Sequence, residues 1–123
     1  MKHAINWFEI PVLDLNRAQK FYESLMDGSM HNMDMGESKM AIFPSDWMEG
    51  AVGGSIFHGE GIEPSTKGTT VYLNGGEDLS PYLARVESAG GQIILPKTAI
   101  GESGYIALFI DTEGNRVGLH SPQ

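Results

Sequence analysis

The order of predicted elements repeats once along the chain, and this repeat limits the fold more than any other feature. The first half is predicted to contain a strand over 5–12, a helix over 15–26 and strands over 30–35, 39–44 and 52–58. After a connector over 59–68, the second half repeats the order with a strand over 69–73, a helix over 79–89 and strands over 92–95, 105–110 and 116–120. Two βαβββ modules are therefore predicted, the first over about 1–59 and the second over about 60–123.

Local signals support these boundaries. Asp14 can cap the first helix and Gly28 follows as its stop, while the pair Asp14-Leu15 recurs as Asp78-Leu79, 64 residues later. In the first strand Phe8, Ile10 and Val12 alternate with Ile5, Trp7 and Glu9, so the two faces differ in chemistry. We expect the helix to lie on the sheet.

The composition of the chain limits which kinds of site and partner it can have. The 123 residues suit one domain, and the absence of cysteine excludes disulfides and thiolate metal sites. A net charge of −8 argues against nucleic acid and anionic membrane surfaces as partners, and it disfavours a strongly anionic ligand. Neither a signal-peptide core nor a run of 18 apolar residues is present, so a cytoplasmic location is predicted.

Four segments in order carry a resemblance to a known family, and they lie at 7–22, 68–73, 86–91 and 111–119. The first joins Trp-Phe-Glu-Ile-Pro-Val to Asp-Leu-Asn-Arg-Ala-Gln-Lys-Phe-Tyr, and the last reads Asp-Thr-Glu-Gly-Asn-Arg-Val-Gly-Leu. Together they resemble the vicinal oxygen chelate superfamily, which includes glyoxalase I, bleomycin-resistance proteins and extradiol dioxygenases. The resemblance implies an α+β fold in which two βαβββ modules form a curved, eight-stranded, cup-shaped sheet with helices outside. It also implies a homodimer.

The resemblance further implies a metal held by up to four His or Glu side chains inside the cup. Alignment of the motifs places these four positions at Trp7, Ser55, Thr69 and Gly118. Trp and Gly offer no side-chain ligand for a divalent cation, and a lone hydroxyl is a weak one. We therefore predict no cofactor and no metal at these positions.

Glu9 and His120 are the candidate catalytic residues, since each lies two positions from a vacated ligand position and should face the cup. They could orient a ligand, share a proton, or hold a metal at a displaced site with His58 as a third ligand. The alternative is that Glu9 pairs with a nearby donor and His120 lies at a frayed chain end. The loop over 46–50 is either a lid or an interface contact.

Two functions of different class remain open. The first is binding of a small apolar or aromatic molecule, as bleomycin-resistance proteins do, in a pocket lined by Trp7, Glu9, Ser55, Thr69, Val71, Gly118 and His120. The second is a metal-dependent lyase, isomerase or dioxygenase of the glyoxalase type with a relocated metal site. The vacated ligand positions favour binding.

Overall fold

The computed structural model describes residues 2–123. Within this range the elements are β1 (Trp7–Pro11), α1 (Leu15–Met26), β2 (His31–Asp34), β3 (Lys39–Ile42), β4 (Gly53–His58), β5 (Tyr72–Asn74), α2 (Ser80–Ala84), β6 (Gln92–Ala99), β7 (Tyr105–Ile110) and β8 (Arg116–Ser121). Single 3-10 turns occupy Trp47–Glu49 and Gly101–Ser103. The α+β class and the two βαβββ modules predicted from the sequence are confirmed.

Each module forms one mixed sheet of four strands. The strand orders are β1-β4-β3-β2 and β5-β8-β7-β6, so that β1 and β5 occupy equivalent edges. The β1–β4 and β5–β8 pairs are parallel and the others antiparallel. Over residues 2–123 no strand ladder joins the two sheets, so the eight strands form two open sheets whose β1 and β5 edges lack a partner.

Helix α1 has the predicted bounds, because capping and packing act together at both of its ends. Asp14 at the N-cap accepts a hydrogen bond from the Arg17 amide at 3.1 Å. The side chains of Ala18, Phe21, Tyr22 and Leu25 recur at helical spacing and are buried. The helix ends at Asp27, which has a left-handed φ of 52°. Asp27 therefore terminates the helix, a role that was predicted for Gly28.

Three predicted bounds in the second module were wrong. Helix α2 is shorter than 79–89, since Arg85 and Val86 donate to carbonyls three residues back and the chain tightens into turns. Strand β5 begins at residue 72 instead of 69, and Thr70 before it accepts a hydrogen bond from the Arg116 side chain. Strand β6 extends past 95 through Pro96, which an edge strand with register shifts tolerates.

One hydrophobic core serves both modules. Phe21 of α1 packs against Phe109 of β7 with ring centroids 5.8 Å apart, and one buried cluster includes residues from both sheets. The Tyr22 hydroxyl donates to Asp111 Oδ2 at 2.6 Å, and Asn115 donates to the Pro11 carbonyl at 2.7 Å. The β7–β8 turn is thus fixed to the junction of β1 and α1.

None of the helices within residues 2–123 has the length and apolar character needed to cross a membrane.

Candidate functional site

A cavity of about 1030 Å³ lies between the unpaired edges of β1 and β5. Both strands line it, together with the start of β4 and β8 and parts of the loops before β4 and β5. Its size matches the upper range of pockets that hold small organic molecules. The cavity is therefore lined by residues of both modules.

Trp7 supplies an aromatic wall of this cavity. Its half-buried indole packs edge to face against Trp47, with ring centroids 5.8 Å apart. Gly53 permits this arrangement, because a Cβ there would lie 2.6 Å from the Trp47 Cβ. The loop that the sequence assigned to a lid or an interface thus places its indole beside the cavity wall.

Glu9, Thr69 and Val71 also line the cavity. Glu9 is exposed, whereas Val71 is half-buried and packs against the core. Ser55 lies beside Glu9 in the β1–β4 register, but it is completely buried and its hydroxyl has no hydrogen-bond partner within residues 2–123. Of the predicted lining residues, Trp7, Glu9, Thr69 and Val71 are therefore brought to one cavity.

Gly118 lies under the ring of Tyr72. The two residues are partners in the β5–β8 register, and a Cβ at position 118 would collide with the Tyr72 ring. The ring therefore fills the space into which a side chain at 118 would project. Tyr72 itself lines the cavity and is 46 % exposed.

The two histidines that the sequence singled out lie apart from the cavity lining. His120 is exposed and donates from Nε2 to the Ser103 carbonyl oxygen at 2.6 Å. His58 contacts the Val12 carbonyl oxygen through Nδ1 at 3.0 Å. Within residues 2–123 no three His, Asp or Glu side chains are grouped so that they could hold a metal ion. Glu9, His58 and His120 are thus not assembled into one metal site.

The four aligned ligand positions do not fit a divalent cation. They provide an indole at Trp7, an enclosed hydroxyl at Ser55, a hydroxyl at Thr69 and a ring-covered backbone at Gly118. Divalent metals require carboxylate, imidazole, thiolate or several oxygen ligands together. This set of side chains has neither the ligand types nor the open geometry.

Arg116 is a lining residue that the sequence analysis missed. Its Nη2 donates to Thr70 Oγ1 at 2.7 Å and to the Gly68 carbonyl at 3.3 Å, while its buried Nε has no partner within residues 2–123. Lys67 lines the same wall. Side chains alternate between faces along β8, so Arg116 lies on the same face as Gly118 and His120. This alternation could have predicted Arg116 as a lining residue from the sequence.

Comparison with known proteins supports the fold assignment. No family model matches the chain. Proteins named "Putative glyoxylase CFP32" from Mycobacterium bovis and Mycobacterium tuberculosis are each 28 % identical over 127 aligned residues, which include 93 % of this chain. The chain spans only 44 % of the length of these relatives.

Solved structures resemble the chain at lower sequence identity. A variant of glyoxalase I from Zea mays has a TM-score of 0.73 at 22 % identity, over 94 % of this chain and 46 % of that one. A glyoxalase/bleomycin resistance protein from Albidiferax ferrireducens has a TM-score of 0.70 at 16 % identity, over 98 % and 100 %. A fosfomycin resistance protein from Listeria monocytogenes has a TM-score of 0.64 at 17 % identity, over 100 % and 94 %. The predicted resemblance is thereby confirmed at the level of the fold, and the chain has the glyoxalase/bleomycin-resistance/dioxygenase fold.

Proposed function

We propose that this chain binds a small organic molecule with an apolar or aromatic part in the cavity between β1 and β5. The observation that carries the proposal is the cavity of about 1030 Å³ walled by the Trp7 indole. The ring of Tyr72 over Gly118 supports a role that does not use the metal positions of the superfamily. Sequestration, as in a bleomycin-resistance protein, is the function this arrangement favours.

Apolar burial would supply most of the affinity. An aromatic ligand that buries about 200 Å² of its apolar surface gains roughly 5 kcal/mol, before the cost of association. Trp7 offers a flat face for such a ligand at little entropic cost, since its side chain is already packed against Trp47. Glu9, at the same cavity, can accept a hydrogen bond from the ligand and fix its orientation.

The test is a titration with N-phenyl-1-naphthylamine, a neutral aromatic dye whose fluorescence rises in apolar sites. We expect saturable binding, quenching of tryptophan emission, and a higher melting temperature with dye because a ligand of the folded state stabilises it. Trp7→Ala should weaken binding by about tenfold, since truncating a buried aromatic contact costs a kilocalorie or more. Ile94→Ala, which removes an exposed apolar side chain of β6, is the matched control, and Trp47→Phe separates the two emission signals.

An unsaturable dye signal, or equal weakening by Trp7→Ala and Ile94→Ala, would contradict the proposal.

Metal analysis of the purified, untagged protein with a Zn²⁺ and Ni²⁺ thermal-shift titration tests the enzyme alternative. A stoichiometric metal that is lost in both Glu9→Ala and His120→Ala would favour a metal-dependent enzyme instead. The homodimer stays a prediction, which analytical ultracentrifugation of the same samples would test.

A further inference from the structure

The two walls of the cavity differ in charge. On the β1 side the ionisable lining groups are Glu9 and Asp46, which are acidic. On the β5 and β8 side they are Lys67, Arg116 and Glu63. The lining as a whole is acidic, as is the chain with its net charge of −8, but the two cations make the β5 and β8 wall basic by one charge although Glu63 lies on it.

These two cations have no acidic partner. The ion pairs within residues 2–123 are Arg17 with Glu113 and Lys97 with Asp78, and neither Arg116 nor Lys67 takes part in one. Arg116 is half-buried, and its guanidinium is bonded only to a hydroxyl and a carbonyl, both neutral. A partly desolvated guanidinium without a counter-ion is unfavourable, and an anion that docks beside it would relieve this cost.

The guanidinium is also held in place. The Arg116 backbone amide donates to the Ser65 carbonyl at 3.2 Å, and the Nη2 bonds fix the side chain against Thr70 and Gly68. Ser65 is in turn held by the Asn115 side chain at 3.1 Å. A cation that is already ordered loses little conformational entropy when it binds an anion, and this favours recognition.

From this arrangement we infer that the natural ligand is an amphipathic anion, whose aromatic or apolar part lies against Trp7 and whose carboxylate, sulfonate or phosphate group is bound by Arg116 and Lys67. This inference rests on the proposed function, because it assigns the class of ligand for the same cavity. It also departs from the expectation, drawn from net charge alone, that anionic ligands are disfavoured.

Two dyes that differ in their acidic group test the inference. 1-Anilinonaphthalene-8-sulfonate carries a sulfonate, and N-phenyl-1-naphthylamine has the same aromatic skeleton without it. We expect Arg116→Gln to weaken binding of the sulfonate dye by about tenfold, the usual scale for loss of a charge-assisted contact, and to leave the neutral dye nearly unchanged. Lys39→Gln, which removes an exposed cation outside the cavity lining, is the matched control.

A purely structural role of Arg116 would weaken both dyes equally, and that result would overturn the inference. Unchanged sulfonate binding in Arg116→Gln would also overturn it and leave the cavity proposal intact, whereas failure of both dyes to bind the wild-type chain would overturn both. If Arg116→Gln does not fold, Lys67→Gln decides instead, because Lys67 is exposed and its loss should selectively weaken the sulfonate dye by about threefold. No selective loss in that variant counts against the inference.

Discussion

Glu113 lies where the β7–β8 turn meets the start of α1. Its side chain is fully buried and accepts hydrogen bonds from the backbone amides of Leu13 and Asp14 and from the side chains of Arg17 and Thr112. Burial raises the pKa of this carboxyl, but the hydrogen bonds from Arg17 and the amides outweigh burial and lower it below the ordinary 4.5. The charged form therefore stabilises the folded state.

Because the pKa of Glu113 is lowered in the folded state, the direction in which its contribution to stability changes with pH is determined. A carboxyl with a lowered pKa contributes stability above its unfolded value of about 4.5, and that contribution is lost as the pH falls through the folded pKa. We expect Glu113→Gln to lower the free energy of unfolding by about 1–3 kcal/mol at neutral pH. The two proteins should converge in urea melts as the pH falls below the lowered, folded-state pKa of Glu113, whereas Glu87→Gln, an exposed control, should follow the wild type throughout.

Tyr22 gives the complementary test at high pH. Burial, and then the charge of Asp111, raise the pKa of its phenol well above 10.0, so its stabilising contribution is complete below pH 10 and falls as the pH rises further. Tyr22→Phe should lower the free energy of unfolding by about 1–3 kcal/mol at neutral pH, since it leaves the Asp111 carboxylate without one of its hydrogen-bond donors. The variant should also lose less stability between neutral and strongly alkaline pH, which denaturant melts would show. A steeper alkaline loss in Tyr22→Phe would contradict this account.

At the scale of elements, α1 carries an avoidable strain at its end. Asp27 has a left-handed φ of 52°, and its negative charge lies at the negative end of the helix dipole. Its backbone N–H donates to the Glu23 carbonyl, a bond that any residue except proline can make. Glycine at this position would keep the bond without the steric cost.

We therefore expect Asp27→Gly to raise the free energy of unfolding by about 0.5–1 kcal/mol, and Asp27→Asn to raise it by less. Thermal and urea melts at neutral pH measure both. Ser24→Gly is the opposite control, because glycine inside α1 should lower the free energy of unfolding by about 0.5 kcal/mol relative to serine. A loss of stability in Asp27→Gly would show that the side chain has a role the hydrogen bonds do not reveal.

Local signals predicted some elements well and others poorly. Asp14 and the apolar period of α1 fixed that helix to its observed bounds, because capping and packing act within one turn. Strand β5 starts later than predicted, and the segment before it contacts Arg116, more than 40 residues away, a contact that no local pattern around 69–73 contains. For the site, alternation placed Trp7 and Glu9 at the cavity, but it also predicted His120 there, whereas His120 lies outside the lining and bonds to the Ser103 carbonyl.

At the scale of the whole molecule, the shared core makes the modules one folding unit. Phe21 of the first module is 1 % exposed and contacts Phe109 of the second, and the Glu113 and Asp111 networks cross the same boundary. Neither module can lose its structure without exposing the apolar surface of the other. Both tryptophans lie in the first module, so their emission reports that half alone.

We expect tryptophan emission and hydrogen exchange of β7 amides to give coincident transitions in denaturant. Phe21→Ala should shift both transitions together and lower the free energy of unfolding by about 3–5 kcal/mol, the usual scale for loss of a buried phenylalanine ring. Phe57→Ala, a less buried ring confined to the first sheet, is the control and should cost less. Separated transitions would show that the modules unfold independently.

The ring over Gly118 has a consequence for how this chain can change under selection. A carboxylate at position 118 cannot enter unless the Tyr72 ring first moves away, so the two positions are energetically coupled. A single substitution that introduces a carboxylate at 118 therefore meets a steric barrier, which a smaller residue at 72 would remove. The order of tolerated substitutions at this pair is thus constrained, because position 118 can accept a side chain more readily after position 72 has become small.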